Sequence, residues 1–184
     1  MEIKKIIGFC KKSGVLQLFE GAGAQWISDG AAMYPLINLP IFDEESICRT
    51  YDIPESKASK MRIQCELRPP SAYDLADTTP DETACKREDP LFGGIVPLTT
   101  SQGMMFIDGK YLTPFKGTSD DMIYVYERHT AAGDTYFAIK VGFELSAIVL
   151  PYDCVNESLV ARLKNVYEQC EIALFNKNGG GKEG

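Results

Sequence analysis

The chain has 184 residues, a formal net charge of −7, 45% hydrophobic residues and 24% charged residues. This composition sets aside disorder for the bulk of the chain, and the length suits a single domain whose core needs neither disulfides nor metals. The acidic balance disfavours direct binding to phosphate backbones, whose affinity for proteins comes mainly from Lys and Arg, and suits a basic partner instead.

No apolar run approaches the roughly 20 residues that cross a bilayer. The opening Met1-Glu2-Ile3-Lys4-Lys5 has no apolar signal-peptide core. Six scattered cysteines, Cys10, Cys48, Cys65, Cys85, Cys154 and Cys170, include no C-x-x-C pair. The expectation is a protein of the reducing cytoplasm, with cysteines as small core residues and no membrane contact.

Residues 2–12 predict an amphipathic helix, because Ile3, Ile6, Ile7 and Cys10 share one face. Lys11 and Lys12 suit its C-terminal end, and Gly14 stops it. Val15–Glu20, Gln25–Ser28 and Ala31–Leu36 read as three strands, joined by Gly21–Ala24 and by the tight turn Asp29-Gly30. Asp43–Tyr51 predicts a short helix with acidic residues at its start. Met61–Leu67 predicts a strand.

Residues 68–93 are polar and rich in Pro, Asp and Thr, which predicts a long loop or lid. A division into two subdomains would fall there. Beyond it the pattern turns to strands: Ile95–Thr99, Met104–Ile107, Lys110–Leu112 after an Asp108-Gly109 turn, Met122–Glu127, Tyr136–Phe143 and Leu145–Leu150. Their links are too short for crossovers, so they pair antiparallel. Residues 156–175 predict a helix capped by Asp153 or Asn156. Its stripe of Leu159, Leu163, Val166 and Cys170 is expected to bury itself on the sheet. The fold class is therefore α+β: a largely antiparallel sheet flanked by N-terminal and C-terminal helices, in one domain over 1–176, with a flexible tail over 177–184.

Chemistry is harder to find. His129 is the sole histidine, and nothing local pairs it with a cysteine or serine nucleophile. Four metal ligands at compact spacing are missing, so neither zinc nor another metal is expected, nor any cofactor. Gly21-Ala22-Gly23 lacks the third glycine and following helix of a dinucleotide loop. The expectation is a protein without catalysis.

Two acidic runs stand out as candidate partner-binding residues: Asp74, Asp77, Asp81 and Glu82 in the long loop, and Asp120 with Asp121 before a strand. The first run reads either as an arm that enters a basic groove or as a solvated loop. The second reads more simply as a charged turn before a strand. Trp26, Tyr34, Tyr111, Tyr124, Tyr126 and Tyr136 on predicted strands are interface anchors or sheet-packing residues.

The segments Ile6-Ile7-Gly8-Phe9-Cys10-Lys11-Lys12, Gln25–Leu36 (Gln-Trp-Ile-Ser-Asp-Gly-Ala-Ala-Met-Tyr-Pro-Leu) and Ile47-Cys48-Arg49-Thr50-Tyr51-Asp52 resemble small proteins of phages and mobile elements in Gram-positive gut bacteria. With the size and acidity, they resemble a type II-A anti-CRISPR family that inhibits Cas9. The resemblance covers the first third of the chain. It implies a protein of the host bacterial cytoplasm that binds the Cas9–guide RNA complex and blocks DNA targeting or cleavage, and it assigns no contact residues. Two alternatives remain, a phage accessory or structural protein and a protein that sequesters a nucleotide signal. The oligomeric state is open.

Overall fold

The computed structural model describes residues 1–66, 70, 72–89 and 94–179. Its first helix, α1 (Ile3–Ser13), buries Ile6, Ile7 and Cys10 and ends at Gly14, whose φ of 76° is the left-handed conformation that glycine adopts without strain. Three strands follow as a meander: β1 (Val15–Gly21), β2 (Ala24–Ser28) and β3 (Ala32–Pro35). The expected helix near residue 43 is α2 (Glu44–Thr50). The Asp43 carboxylate accepts from the Ser46 N–H at 2.8 Å and the Ser46 hydroxyl accepts from the Asp43 N–H at 2.9 Å, a capping box. A one-turn helix, α3 (Glu55–Ala58), leads into β4 (Arg62–Glu66).

The predicted long loop is only partly a loop. Its residues 68, 69, 71 and 90–93 lie outside the described residues, as does Leu67 of the predicted strand before it. Within the loop, β5 (Thr83–Ala84) and β6 (Lys86–Arg87) are two short strands separated by Cys85. Further on come β7 (Ile95–Thr100), β8 (Gly103–Asp108), β9 (Ile123–His129), β10 (Thr135–Val141), β11 (Glu144–Val149) and the helix α4 (Glu157–Gly179).

Among the described residues, eight strands form one sheet in the order β4-β1-β2-β3-β11-β10-β9-β5, and β6-β7-β8 form a second. All pairings are antiparallel except β4 with β1, which is parallel from Val15 beside Arg62 to Phe19 beside Glu66. The 83–87 stretch changes sheets: Ala84 pairs with Tyr126 of β9, and Arg87 with Leu98 of β7.

The large sheet has a core on each face, because successive residues of a strand point to opposite sides. Leu16, Leu18, Ile27, Tyr34, Val125, Phe137 and Ile139 belong to the larger core, with Ile6 and Ile7 of α1 and Val96, Leu98 and Ile107 of the small sheet. Phe19, Trp26, Met33, Tyr136, Ala138, Leu145 and Ile148 belong to the second. A register shift lies between Ile139 and Lys140, opposite Ala147 and Leu145, so one extra residue of β11 is accommodated there. This bulge puts Leu145 on the same face as Ile148 despite their odd spacing. Tyr73 and Leu75 of the former loop pack on this second core, and the Tyr73 ring meets Tyr136 edge-on at 5.1 Å.

Several sequence expectations need correction. The hairpin expected after Asp108-Gly109 does not form, because Asp108 accepts from the Lys110 N–H at 3.0 Å and starts a 3₁₀ helix over Gly109–Phe115. The strand expected over Tyr136–Phe143 stops at Val141, and Gly142 (φ 64°) with Phe143 forms a two-residue turn into β11. Glycine at the first turn position matches the right-handed twist of the flanking strands.

The chain divides into two compact units, Met1–Tyr152 and Asp153–Gly184. In the second unit, Asn156 caps α4 by accepting from the Leu159 N–H at 2.9 Å. Within this unit, Leu163 and Val166 of the apolar stripe are exposed, and Cys170 with them. The pattern required that an apolar face exist, but could not say what would cover it. Residues 177–179 of the expected tail continue the helix, and 180–184 lie outside the described residues.

Candidate interaction surface

The acidic 74–82 segment is tied inward. Arg128 on β9 and Lys140 on β10 project from the face of the second core, and their side chains are 2% and 4% exposed. Charges so placed need a counterion and full hydrogen bonding. Glu82 supplies the first. Its carboxylate accepts from Arg128 Nε at 2.9 Å and Nη2 at 2.6 Å, and its other oxygen accepts from Lys140 Nζ.

Backbone carbonyls supply the rest. Arg128 Nη1 donates to Asp74 O at 3.1 Å and Ala76 O at 2.9 Å, and Nη2 donates to Asp77 O at 3.1 Å. All five guanidinium N–H groups are thereby used. Lys140 also lies 4.3 Å from the centre of the Tyr126 ring. Burial pushes the Glu82 carboxyl up, but the bonds from Lys140 and Arg128 and their charges outweigh it and hold the group below the usual carboxylate range.

The rest of the segment follows. The Asp77 side chain accepts from the Leu145 N–H at 2.8 Å, and that of Asp74 from the Ala76 N–H at 2.8 Å. Tyr136 Oη accepts from the Asp74 N–H at 3.0 Å. Glu82 is therefore an internal counterion, a correction to the reading in which four carboxylates project into a partner. Asp74, Asp77 and Asp81 remain exposed, but the first two are engaged in holding the segment. Lys140 carries a sequence signal for this, a lone cation in the otherwise uncharged strand Thr135–Val141, whereas Arg128 sits between Glu127 and His129 and stands out less.

Asp120 and Asp121 sit elsewhere, in a 3₁₀ turn over Asp120–Met122 just before β9, and both are exposed. Asp120 pairs with Arg87 at 3.2 Å, and Asp121 accepts from the Ser119 hydroxyl. The following residue, Met122, is also exposed. Its carbonyl accepts from the Gly142 N–H at 2.9 Å, which ties this corner to the β10–β11 turn. Phe143, at the tip of that turn, is 91% exposed, more than any other large hydrophobic residue described. Glu144 follows it, and Tyr124 is exposed one pair further along the strands. An apolar tip is thus presented on a hairpin turn, with Glu144 beside it and Asp120 and Asp121 at the corner tied to its base. Beside it, a hollow of about 300 Å³ is lined by Met1, Ile3, Ile37, Val141 and Glu144 among others.

A larger cavity, of about 700 Å³, opens between 87–89 and 108–123. Val96, Leu112, Phe115 and Ile123 are its apolar lining, and Arg87, Lys110, Lys116, Asp108 and Asp120 its charged one. At Gly109 a Cβ would lie 2.4 Å from the Gly94 carbonyl oxygen, so the close backbone approach at this wall requires glycine.

The remaining singled-out residues are structural. Trp26, Tyr34, Tyr111 and Tyr136 are buried, Tyr126 is half-buried, and of the six aromatics only Tyr124 is exposed. Tyr111 donates to Asp29 at 3.0 Å and Tyr34 donates to the Tyr111 carbonyl at 2.9 Å. Burial and the Asp29 charge raise both phenols well above their ordinary value and push the neighbouring Cys10 thiol up to about 12. His129 closes β9, 3.4 Å from the buried Glu127, whose carboxylate accepts from the Ser101 hydroxyl at 2.8 Å and from its N–H at 2.7 Å. The serine is thus bonded to the carboxylate and not to the imidazole, which is not the geometry of an activated nucleophile. Among the described residues, no group of three or more His, Cys, Asp or Glu is placed to hold a metal ion.

These features define an α+β protein with a two-faced mixed sheet, an internal ionic cluster and an acidic, aromatic-tipped sheet end. No helix among the described residues is long and apolar enough to cross a membrane. The chain matches no protein-family model, no curated protein and no solved structure.

Proposed function

We propose that this protein acts without catalysis by binding a basic protein partner through the sheet end that carries Phe143, and that the partner is the Cas9–guide RNA complex, whose DNA targeting or cleavage it blocks. The observation that carries the binding mode is Phe143, 91% exposed among Asp120, Asp121 and Glu144. Aromatic residues and Met are enriched at protein interfaces, and carboxylates around them complement a basic surface and steer its approach. The resemblance of the first third to type II-A anti-CRISPR proteins supports the choice of partner.

The test is co-elution with a purified Cas9–guide complex, followed by DNA cleavage on the same mixture. The reading expects co-elution, lost cleavage, and loss of both in Phe143→Ala and in Asp120→Lys/Asp121→Lys. Separate elution with full cleavage refutes this partner. Binding that survives Phe143→Ala refutes the surface.

A second reading rests on the 700 Å³ cavity, which falls in the range of small-molecule sites. On that reading the protein sequesters a nucleotide signal. A ligand that binds only the folded state raises the unfolding temperature, so a thermal-shift panel of nucleotides tests it.

A further inference from the structure

The helix α4 carries a heptad pattern that its own unit leaves uncovered. With Val160 as position a, the a positions are Val160, Tyr167 and Leu174, and the d positions are Leu163, Cys170 and Lys177. Val160, Leu163, Tyr167 and Leu174 are all exposed, at 42 to 63%. An a/d seam of this kind is the surface on which two helices interlock. The helix has 23 residues, about 35 Å at 1.5 Å per residue, long enough for two and a half heptads to pack.

The flanking positions say what the seam fits. The e positions within it are Lys164 and Glu171, one of each sign, whereas the g positions are Leu159, Val166 and Ala173, none charged. In a parallel pair, e faces g of the other helix, so Lys164 and Glu171 would meet only apolar residues. In an antiparallel pair, e faces e. Layers that pair Leu163 with Leu174 and Tyr167 with Cys170 then bring each Lys164 beside Glu171 of the other helix, twice by the two-fold axis. The face is complementary in charge to itself, but only when the second copy runs the opposite way. This is the isologous arrangement that a closed dimer requires.

We propose that α4 is a homodimerisation element, and that two copies of this chain join through an antiparallel pair of these helices with Val160, Leu163, Tyr167 and Leu174 in the seam and reciprocal Lys164–Glu171 ion pairs beside it. The inference is independent of the Phe143 surface.

Sedimentation equilibrium of the full chain over a concentration series tests it, with circular dichroism to follow the fold. Wild type is expected to associate to a dimer and no further. Lys164→Glu alone places two like-charged pairs across the seam, as does Glu171→Lys alone. Each is expected to weaken the dimer about tenfold, because two exposed ion pairs turn repulsive. An equimolar mixture of the two single variants restores opposite charges at both pairs, and so does the double variant. Both are expected to return to wild-type association. Lys164 and Glu168 are one turn apart within the helix, and an effect confined to that pair would not be repaired by mixing, so recovery in the mixture isolates the contact between copies. Leu163→Asp is expected to abolish the dimer, and Phe143→Asp to leave it intact. A wild-type monomer at every concentration, a dimer that persists in Leu163→Asp, or single charge variants whose loss is not restored by mixing would each overturn the proposal.

Discussion

Glu82→Gln removes the carboxylate that bridges two buried cations while keeping the side chain's shape. Arg128 would retain its three bonds to the carbonyls of Asp74, Ala76 and Asp77, but Lys140 would keep only the Tyr126 ring and a neutral amide oxygen. Breaking a buried pair by removing one partner costs about 3–5 kcal/mol, because an uncompensated charge stays in a low-dielectric site. That is a large part of the roughly 5–15 kcal/mol by which a domain is stable. At about 2–4 °C per kcal/mol for a unit of this size, the unfolding temperature should fall by about 6–20 °C.

The pH dependence has a definite sign. The folded carboxyl of Glu82 is held below its usual range, so its contribution is fully present above the unfolded value of about 4.3 and is lost as pH falls through the lower folded value. Wild type and variant should therefore differ most at neutral pH and converge in acid. Glu82→Gln/Lys140→Met should be more stable than Glu82→Gln alone, because it removes one of the two stranded charges. Thermal and urea unfolding of the three proteins between acid and neutral pH would measure all of this. A loss below about 1 kcal/mol, the size expected of a surface pair, would refute the internal-counterion reading.

Three further outcomes are expected. Gln25→Ala should cost about 2–4 kcal/mol in urea unfolding, since it strands the Phe42 N–H and carbonyl that the buried amide meets at 2.9 and 2.7 Å. In mass-spectrometric labelling of the native protein with a thiol reagent, the exposed Cys65 and Cys170 should react, whereas Cys10, buried with its thiol pushed up to about 12, should react only on unfolding. Tyr34 and Tyr111 contribute stability that is present below the ordinary phenol value of about 10 and lost as pH rises through their raised folded values. Their phenolate absorbance should consequently appear together with loss of the fold, and ionisation of both with the circular dichroism intact would contradict the buried network.

The local elements are legible in the sequence. Alternation and helical spacing placed α1, β1, β2, α2, β7 and β11 to within a residue or two, because each is specified by side-chain period and by caps such as Gly14 and Asp43 that act within one turn. The Asp29-Gly30 turn was legible for the same reason. What faces what was not. Whether 74–82 reaches outward or inward depends on Arg128 and Lys140, 46 to 66 residues downstream, and a run of carboxylates reads identically in either case. The parallel pairing of β4 with β1 and the sheet change at Cys85 are equally non-local. In the sequence Phe143 reads as the end of a strand, because apolar character continues through it. Only the hairpin geometry, in which β11 must return beside β10 after Gly142, turned it out into solvent. Sequence period fixes which residues share a face, whereas the choice of what covers that face is a contest among distant segments for the same apolar and charged surface. Tertiary packing decides that contest.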